Sequence, residues 1–313
     1  MIVTVTANPS VDRTVEIDGL RRGAVLRARS ALLDAGGKGV NVARALAANG
    51  HRATAVLPTG GAEGLQLTAL LAAAGITVVE VPIAGAVRSN ITIAEADGTT
   101  TKLNEPGPRL SAGESARLAA ATLDAAEGAD WVVLCGSLPP GVPVDFYAEL
   151  TTRLRAKGVR VAVDSSGAAL RAALPARPDL IKPNREELAD LTGRAVRTLG
   201  DVLAAARQVL DGGVPAVVAS VGAEGALLLT AEGAWHAHGA VAETRSTVGA
   251  GDALLAGFLA AGRVGPDALA AAVAWGAAAA SLPGSRMPTP TELDRAAVRC
   301  SPAFDPATAL SDS

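Results

Sequence analysis

Trp131-Val132-Val133-Leu134-Cys135, then residues 144–157, then Arg160-Val161-Ala162-Val163-Asp164 is the stretch on which the fold turns. The first run is short, apolar and rich in valine, and reads as a buried strand. The middle segment is long enough for a helix, and the last run is a second strand. A strand, a helix and a strand in that order cross over right-handed and lie parallel in one sheet. The same alternation continues on both sides. Upstream it predicts strands at 2–7, 53–57 and 77–81 and helices at 40–49 and 64–74. Ser111 and Glu114 have the spacing of a capping box, which starts a helix running to about Ala126. Downstream it predicts strands at 180–182 and 216–220, helices at 186–191 and 202–211, and an antiparallel pair, 226–230 with 234–237, around Glu232-Gly233. Two helices after Asp252 close the core. The expected fold is α/β, in three layers around a mainly parallel sheet. One domain spans residues 1–305, and residues 306–313 form a loose tail.

Two segments break the rhythm. Thr14-Val15-Glu16-Ile17 alternates polar and apolar, as does Asn90-Ile91-Thr92-Ile93, which turns at Asp97-Gly98 into residues 99–103. They read as antiparallel strands with one wet face, in a small sheet drawn from residues 12–34 and 87–104. A lid and a dimer contact are both plausible uses.

Composition narrows the function. Of 313 residues 49% are hydrophobic, ample for a core. A net charge of −3 without blocks of like charge speaks against a nucleic-acid surface, and 2% aromatics against base-stacking platforms. Cys135 and Cys300 are too far apart in sequence for a disulfide framework or a zinc cluster and fit a reducing cytoplasm. Met1 leads straight into a strand, so no signal peptide is expected. The most membrane-like window, 268–282, is too short to span a bilayer and reads as a tightly packed helix.

Ser246-Thr247-Val248-Gly249-Ala250-Gly251-Asp252 carries the chemistry. It reads as a glycine loop feeding a helix. Two glycines one residue apart leave N–H groups bare, and the helix N-terminus adds partial positive charge, so an anion such as phosphate fits there. A carboxylate beside phosphate is repelled unless it takes a proton from an attacking hydroxyl. Asp252 is therefore a candidate base for phosphoryl transfer to an alcohol, with a simple N-cap as the alternative.

Other loops repeat the theme. Gly36-Gly37-Lys38-Gly39 opens the helix at 40–49; it is not a Walker A motif, and a tight turn is its ordinary reading. Asp12, in Asn8-Pro9-Ser10-Val11-Asp12, lies past the first strand, where ligands gather, and can accept from sugar hydroxyls or serve a turn. Lys182-Pro183-Asn184-Arg185-Glu186-Glu187 puts Asn184 and Glu187 on one helical turn, either to orient metal-bound water or to cap the helix. Ser220-Val221-Gly222-Ala223-Glu224-Gly225 lets nucleotide phosphate or ribose approach the backbone, or is a glycine-rich hairpin entry. His51, His236 and His238 have no ligand spacing and read as surface or strand positions.

In this order the motifs resemble the ribokinase-like (PfkB) carbohydrate kinases, over nearly the whole chain from Thr6 to Gly284. Arg88-Ser89-Asn90, Asn104-Glu105-Pro106-Gly107 and Gly136-Ser137-Leu138-Pro139-Pro140-Gly141 add to the match. Within the family the bacterial 1-phosphofructokinase branch is most similar, and tagatose-6-phosphate kinases follow. The resemblance implies a ribokinase-like α/β/α sandwich with a small β lid, often used in dimerisation. It implies that Asp252 is the base and that Gly249, Ala250 and Gly251 form the anion hole. Asp12, Gly37, Lys38 and Asn41 match sugar positions, and Arg88 and Asn90 match a lid strand that meets the substrate. Lys182, Asn184, Ser220, Gly222 and Gly225 match the nucleotide side, and Glu187 matches a magnesium-linked position acting through water. ATP and Mg²⁺ are the implied cofactors, sugar phosphate and ATP the partners, with no nucleic acid or membrane. Ser246 stands where many sugar kinases carry Asp, though the phosphofructokinase branch also tends to Ser there, and Ala253 stands where Ser is common.

A sugar that already bears a phosphate needs a cation. Lys38 and Arg88 are the candidates, with Arg27 and Lys102 weaker ones. The expected reaction moves the ATP γ-phosphate to the C6 hydroxyl of fructose 1-phosphate. Tagatose 6-phosphate, an unphosphorylated sugar and a non-catalytic sensor of sugar phosphate and nucleotide are the alternatives.

Overall fold

In the computed structural model, which describes residues 1–239 and 244–311, Trp131–Cys135 and Arg160–Asp164 pair in parallel, from Trp131 opposite Arg160 to Cys135 opposite Asp164. The helix between them is Phe146–Ala156. The first part of the chain contains β1 Ile2–Thr6, β2 Ser10–Ile17, β3 Ser30–Gly36, α1 Lys38–Ala48, β4 Ala53–Thr59, α2 Gly61–Ala73 and β5 Thr77–Pro82. Then come β6 Arg88–Glu95, β7 Thr100–Leu103, α3 Ala112–Ala125, β8 Trp131–Cys135, α4 Phe146–Ala156, β9 Arg160–Asp164 and α5 Gly167–Ala173. Next are β10 Leu180–Ile181, α6 Arg185–Thr192, α7 Leu199–Asp211, β11 Ala216–Ser220, β12 Ala226–Thr230 and β13 Gly233–Gly239. α8 Ala250–Ala260, α9 Pro266–Ala280 and β14 Val298–Ser301 complete it.

The main sheet has the order β14-β13-β12-β11-β10-β9-β8-β1-β4-β5. From β5 to β11 every pairing is parallel, and β12 to β14 add an antiparallel edge. Each face of the sheet has its own apolar core. α1, α2, α8 and α9 cover one face, and α3 to α7 cover the other. β1, β8 and β9 are buried on both faces; β8 reads as an unbroken apolar run, β1 places buried Thr4 and Thr6 among its apolar residues, and β9 is an apolar centre between Arg160 and Asp164. The strand order reverses between β1 and β8. A crevice for ligand is expected outside the carboxyl ends of the strands there.

The second sheet, β3-β2-β6-β7, projects from the interrupting segments. β3 and β7 run antiparallel to their neighbours, but β2 and β6 pair in parallel, not antiparallel as expected. Each leaves a main-sheet strand at the same end of the molecule, so the two start together and run the same way.

The expected loose tail is a correction. Residues 306–311 dock along the entry to α7, and Leu310 is buried among core side chains; residues 312–313 lie outside the described part. α5, β3 and β14 were also not expected. Most of the 268–282 window lies in α9, with most of its alanines and Trp275 buried. Among the described residues no helix is long and apolar enough to cross a membrane.

Candidate active site

α8 begins on Gly249, whose φ of 77° is left-handed and suits glycine. Ala250, Gly251 and Asp252 make the first turn. Glycine fills the N-cap position, so Asp252 does not cap. Its carboxylate accepts from Asn41 Nδ2 at 2.8 Å, joining α8 to α1. Asp252 is 7% exposed. Burial pushes its pKa up to about 6, aided by the charge of Asp164 and opposed by Lys38, Asn41 and Lys182. A carboxylate in that range is a competent base near neutral pH.

Beneath it lies a buried ion network that pivots on Asp164, the last residue of β9. Lys38 Nζ stands 2.7 Å from Asp164 Oδ1 and 3.1 Å from Glu187 Oε1, while Lys182 Nζ stands 3.2 Å from Asp164 Oδ2. Burial works to raise the Asp164 pKa, but Lys182 and Lys38 overcome it and hold the carboxyl below its usual range. For Lys38, burial works downward and Asp164 and Glu187 overcome it, so its pKa is raised. Three carboxylates thus face two ammonium groups, and the surplus negative charge falls on Asp252, whose pKa is raised. Sequence reasoning missed Asp164. The available signal was an acid closing a buried strand at its carboxyl end, where sites in such sheets gather. Arg44 was missed too: one turn along α1 from Asn41, it donates to Asn41 Oδ1 at 3.4 Å and pairs with Asp34 at 3.3 Å.

Asp12 and Asn90 sit opposite each other on β2 and β6. Asp12 Oδ1 accepts from Asn90 Nδ2 at 2.9 Å and from Ser10 Oγ at 2.7 Å. A Cβ at Gly36 would fall 2.3–2.5 Å from this carboxylate, so β3 can pass only with glycine there. Arg88 fastens β6 to the end of β1, donating to Asn8 O and Glu105 O, each at 3.0 Å. Burial lowers its pKa against the pull of Asp12 and Glu105. Arg27 and Lys102 are exposed.

On the other flank, Asn184 caps α6. It accepts from Glu187 N at 2.7 Å, and Glu187 Oε2 accepts from Asn184 N at 2.9 Å, a reciprocal capping box. The capping reading is therefore correct for this pair, yet Glu187 also turns Oε1 toward Lys38. Ser220 N donates to Pro183 O at 3.0 Å, which brings β11 and the Asn184 turn together. Gly222 faces open space, whereas a Cβ on Gly225 would stand 2.1 Å from Ala237 O, so Gly225 serves the packing of β13. Lys182 Nζ lies 3.4 Å from where a Cβ on Gly251 would be, and Ala250 N donates to Thr247 O at 3.3 Å.

The structure therefore brings Lys38, Asn41, Lys182, Glu187 and Asp252 around Asp164. Asp12, Asn90 and Arg88 stand on the small sheet, and Ser220 and Gly222 stand beyond Asn184. Among the described residues no group of three His, Cys, Asp or Glu side chains could hold a metal ion. Asp164 is occupied by two lysines and Glu187 by Lys38 and its helix cap. These residues fit a divalent cation held mainly by phosphates and water, with Glu187 as an outer partner, and not a cage made by protein alone.

Comparison with known proteins gives the family. Residues 5–292 match the family described as pfkB family carbohydrate kinase. The chain is 43% identical over 269 residues to the 1-phosphofructokinase of Rhodobacter capsulatus, covering 85% of each. It is 37% identical over 257 residues to the ATP-dependent 6-phosphofructokinase isozyme 2 of Escherichia coli strain K12, covering 81% of this chain and 83% of that one. The crystal structure of phosphofructokinase-2 from Escherichia coli in complex with substrates and products matches with a TM-score of 0.87 at 35% identity, over 93% of this chain and 96% of the other. With its ribokinase-like sandwich, small sheet and glycine-led α8, the chain belongs to the pfkB family of carbohydrate kinases.

Proposed function

We propose that the protein transfers the γ-phosphate of ATP to the C6 hydroxyl of fructose 1-phosphate, giving fructose 1,6-bisphosphate and ADP. The observation that carries this reading is Asp252: a buried carboxylate with a pKa of about 6, held by Asn41 at the mouth of an anion-binding helix start. Its Oδ atoms take the proton of the sugar hydroxyl as that oxygen attacks. The amides of Gly249, Ala250 and Gly251 receive the transferring phosphoryl group, and Lys182 supports it from behind. Mg²⁺ bound with the nucleotide supplies charge neutralisation, with Glu187 reaching it through water. Gly222 and Ser220 lie on the nucleotide side with Asn184.

Asp12 and Asn90 hold the sugar hydroxyls from the small sheet, which closes as a lid. The sugar's own phosphate falls to Arg88, because Lys38 is engaged by Asp164 and Glu187. Arg27 and Lys102 supply further positive charge. The substrate is supported by relatives named 1-phosphofructokinase at 37–43% identity. Fructose 6-phosphate is the second reading, favoured by the isozyme 2 relatives at 36–37%; tagatose 6-phosphate is the third.

A coupled ADP-release assay across fructose 1-phosphate, fructose 6-phosphate, tagatose 6-phosphate and ribose decides between them. The highest kcat/KM is expected for fructose 1-phosphate, and a higher value for any other sugar overturns the assignment. The small sheet is also the expected homodimer face, because Ile91, Ile93 and Leu103 line one side of it only half-buried or exposed. Ile93→Lys should shift the protein to monomer in size-exclusion chromatography. A cytoplasmic location fits the two free cysteines.

A further inference from the structure

Residues 306–311 run antiparallel beside the entry to α7. Gly200 N donates to Pro306 O at 2.8 Å, Leu199 N to Thr308 O at 3.0 Å and Leu310 N to Arg197 O at 2.9 Å. Thr198 and Ala309 form an antiparallel bridge between these rungs. Gly200 permits the approach, since a Cβ there would stand 2.9 Å from Pro306 O. The segment then reaches two nucleotide-side elements at once. Ser311 Oγ donates to Glu224 Oε1, in the turn Gly222–Glu224. Arg185 Nη1, from the first residue of α6, donates to Ser311 O at 3.0 Å. From the opposite side His236 Nε2 meets Glu224 O at 2.6 Å.

Below this junction is a cavity of about 370 Å³, bounded by Leu199, Glu224, His236, Phe304 and Thr308. One side of the turn thus borders a gap, while at its end Gly225 packs on Ala237 O and Val221 N donates to Gly225 O at 2.9 Å. A turn flanked by left-handed glycines has wide conformational freedom. Ordering it on ligand binding would subtract from affinity, and a tether that orders it beforehand removes that cost.

We propose that segment 306–311 is a strap that pre-orders the Gly222–Glu224 turn for the nucleotide, with Gly200, Leu310 and Ser311 as positioning residues for ATP binding. This rests on the reading above that the turn meets the nucleotide.

The test measures KM for ATP and for the sugar phosphate in four variants. They are a chain ending at Asp305, full-length Gly200→Ala, and Gly222→Val as a probe of the turn itself, with Gly200→Ala in the shortened chain as a fourth, combined variant. Gly200→Ala keeps all other residues and puts a better helix former in α7, so the result does not depend on the shortened chain folding. The strap predicts an ATP KM raised about fivefold to tenfold in the shortened chain, with the sugar KM within about twofold of normal. Gly200→Ala should move ATP KM the same way, and should add nothing in the shortened chain. If Gly222→Val raises ATP KM while the other three variants leave it unchanged, the strap is overturned and the nucleotide reading stands. If Gly222→Val has no effect on ATP KM, the nucleotide reading falls and the strap falls with it. Equal rises in both KM values indicate general loosening and also overturn the strap.

Discussion

At the entry to α1, a Cβ on Gly39 would stand 2.5 Å from Thr6 Oγ1 and 3.1 Å from Val5 O; at the entry to α8, a Cβ on Gly251 would meet Lys182 Nζ at 3.4 Å and nothing nearer. Both loops read alike in sequence, as glycines leading into a helix beside a charged residue. In the first, the protein fills the space the glycines leave: α1 is pressed against β1, and its charge, Lys38, is matched by Asp164 and Glu187. In the second, Gly249 is packed as well, since a Cβ there would stand 2.8 Å from Met287 Cε, but the place of a Gly251 side chain is open, and the charge, Asp252, is the unmatched one. A glycine loop thus has two physical uses, close packing and open amides. What separates them is whether a neighbour already occupies the missing side chain's place.

The largest effect should come from the unmatched charge. Asp252→Asn keeps the shape and the α8 amides but removes the base, and kcat should fall by about 10²–10⁴. Calorimetric ATP affinity should stay near normal. Turnover close to wild type would reduce the α8 entry to an anion cradle and remove the chemical half of the contrast. The matched network comes next. Asp164→Asn leaves Lys182 without its carboxylate and Lys38 with Glu187 alone, and removing one partner of a buried ion pair costs about 3–5 kcal/mol in denaturant unfolding. The same change deletes a negative charge that raises the Asp252 pKa, so the acid limb of the rate profile should move to lower pH. An unaltered midpoint and profile would show that Asp164 supports neither. The smallest effect separates the loops directly. Gly39→Ala should cost about 1–3 kcal/mol of stability by overpacking. Gly251→Ala should leave the unfolding midpoint nearly unchanged and lower kcat. Identical behaviour of the two variants would break the comparison.

Much of the fold was legible because β1, β8, β9 and β11 are short, valine-rich strands that need both faces covered, and that need shows in their mainly apolar centres. β3 was not legible. Ser-Ala-Leu-Leu-Asp-Ala-Gly has no clean alternation, and its extended form comes from pairing with β2. The parallel pairing of β2 with β6 was hidden for a related reason: pattern identifies a strand, but its neighbour is set by the path of the chain. Segment 306–311 looked loose because its anchors are backbone rungs, which leave no mark on side-chain pattern.

At the site, the α8 motif announced Asp252, since glycines and an acid in one turn are a local signal. Asn41, its partner, lies 211 residues away, and Lys38 meets Asp164 across 126. The family resemblance marked Asn41 only as a sugar position, and nothing local suggested either contact. The sequence also gave no hint that Lys38 would be engaged before any sugar phosphate arrives.

The central claim, that Asp252 is a base tuned by burial, is tested most directly by the pH dependence of kcat with fructose 1-phosphate and saturating ATP. Asp252 must be deprotonated to accept the hydroxyl proton, so kcat should rise with pH through a single ionisation at about 6 and level off above it. A rate that stays flat from about pH 5 to 8, the range where such a base must titrate, would contradict it.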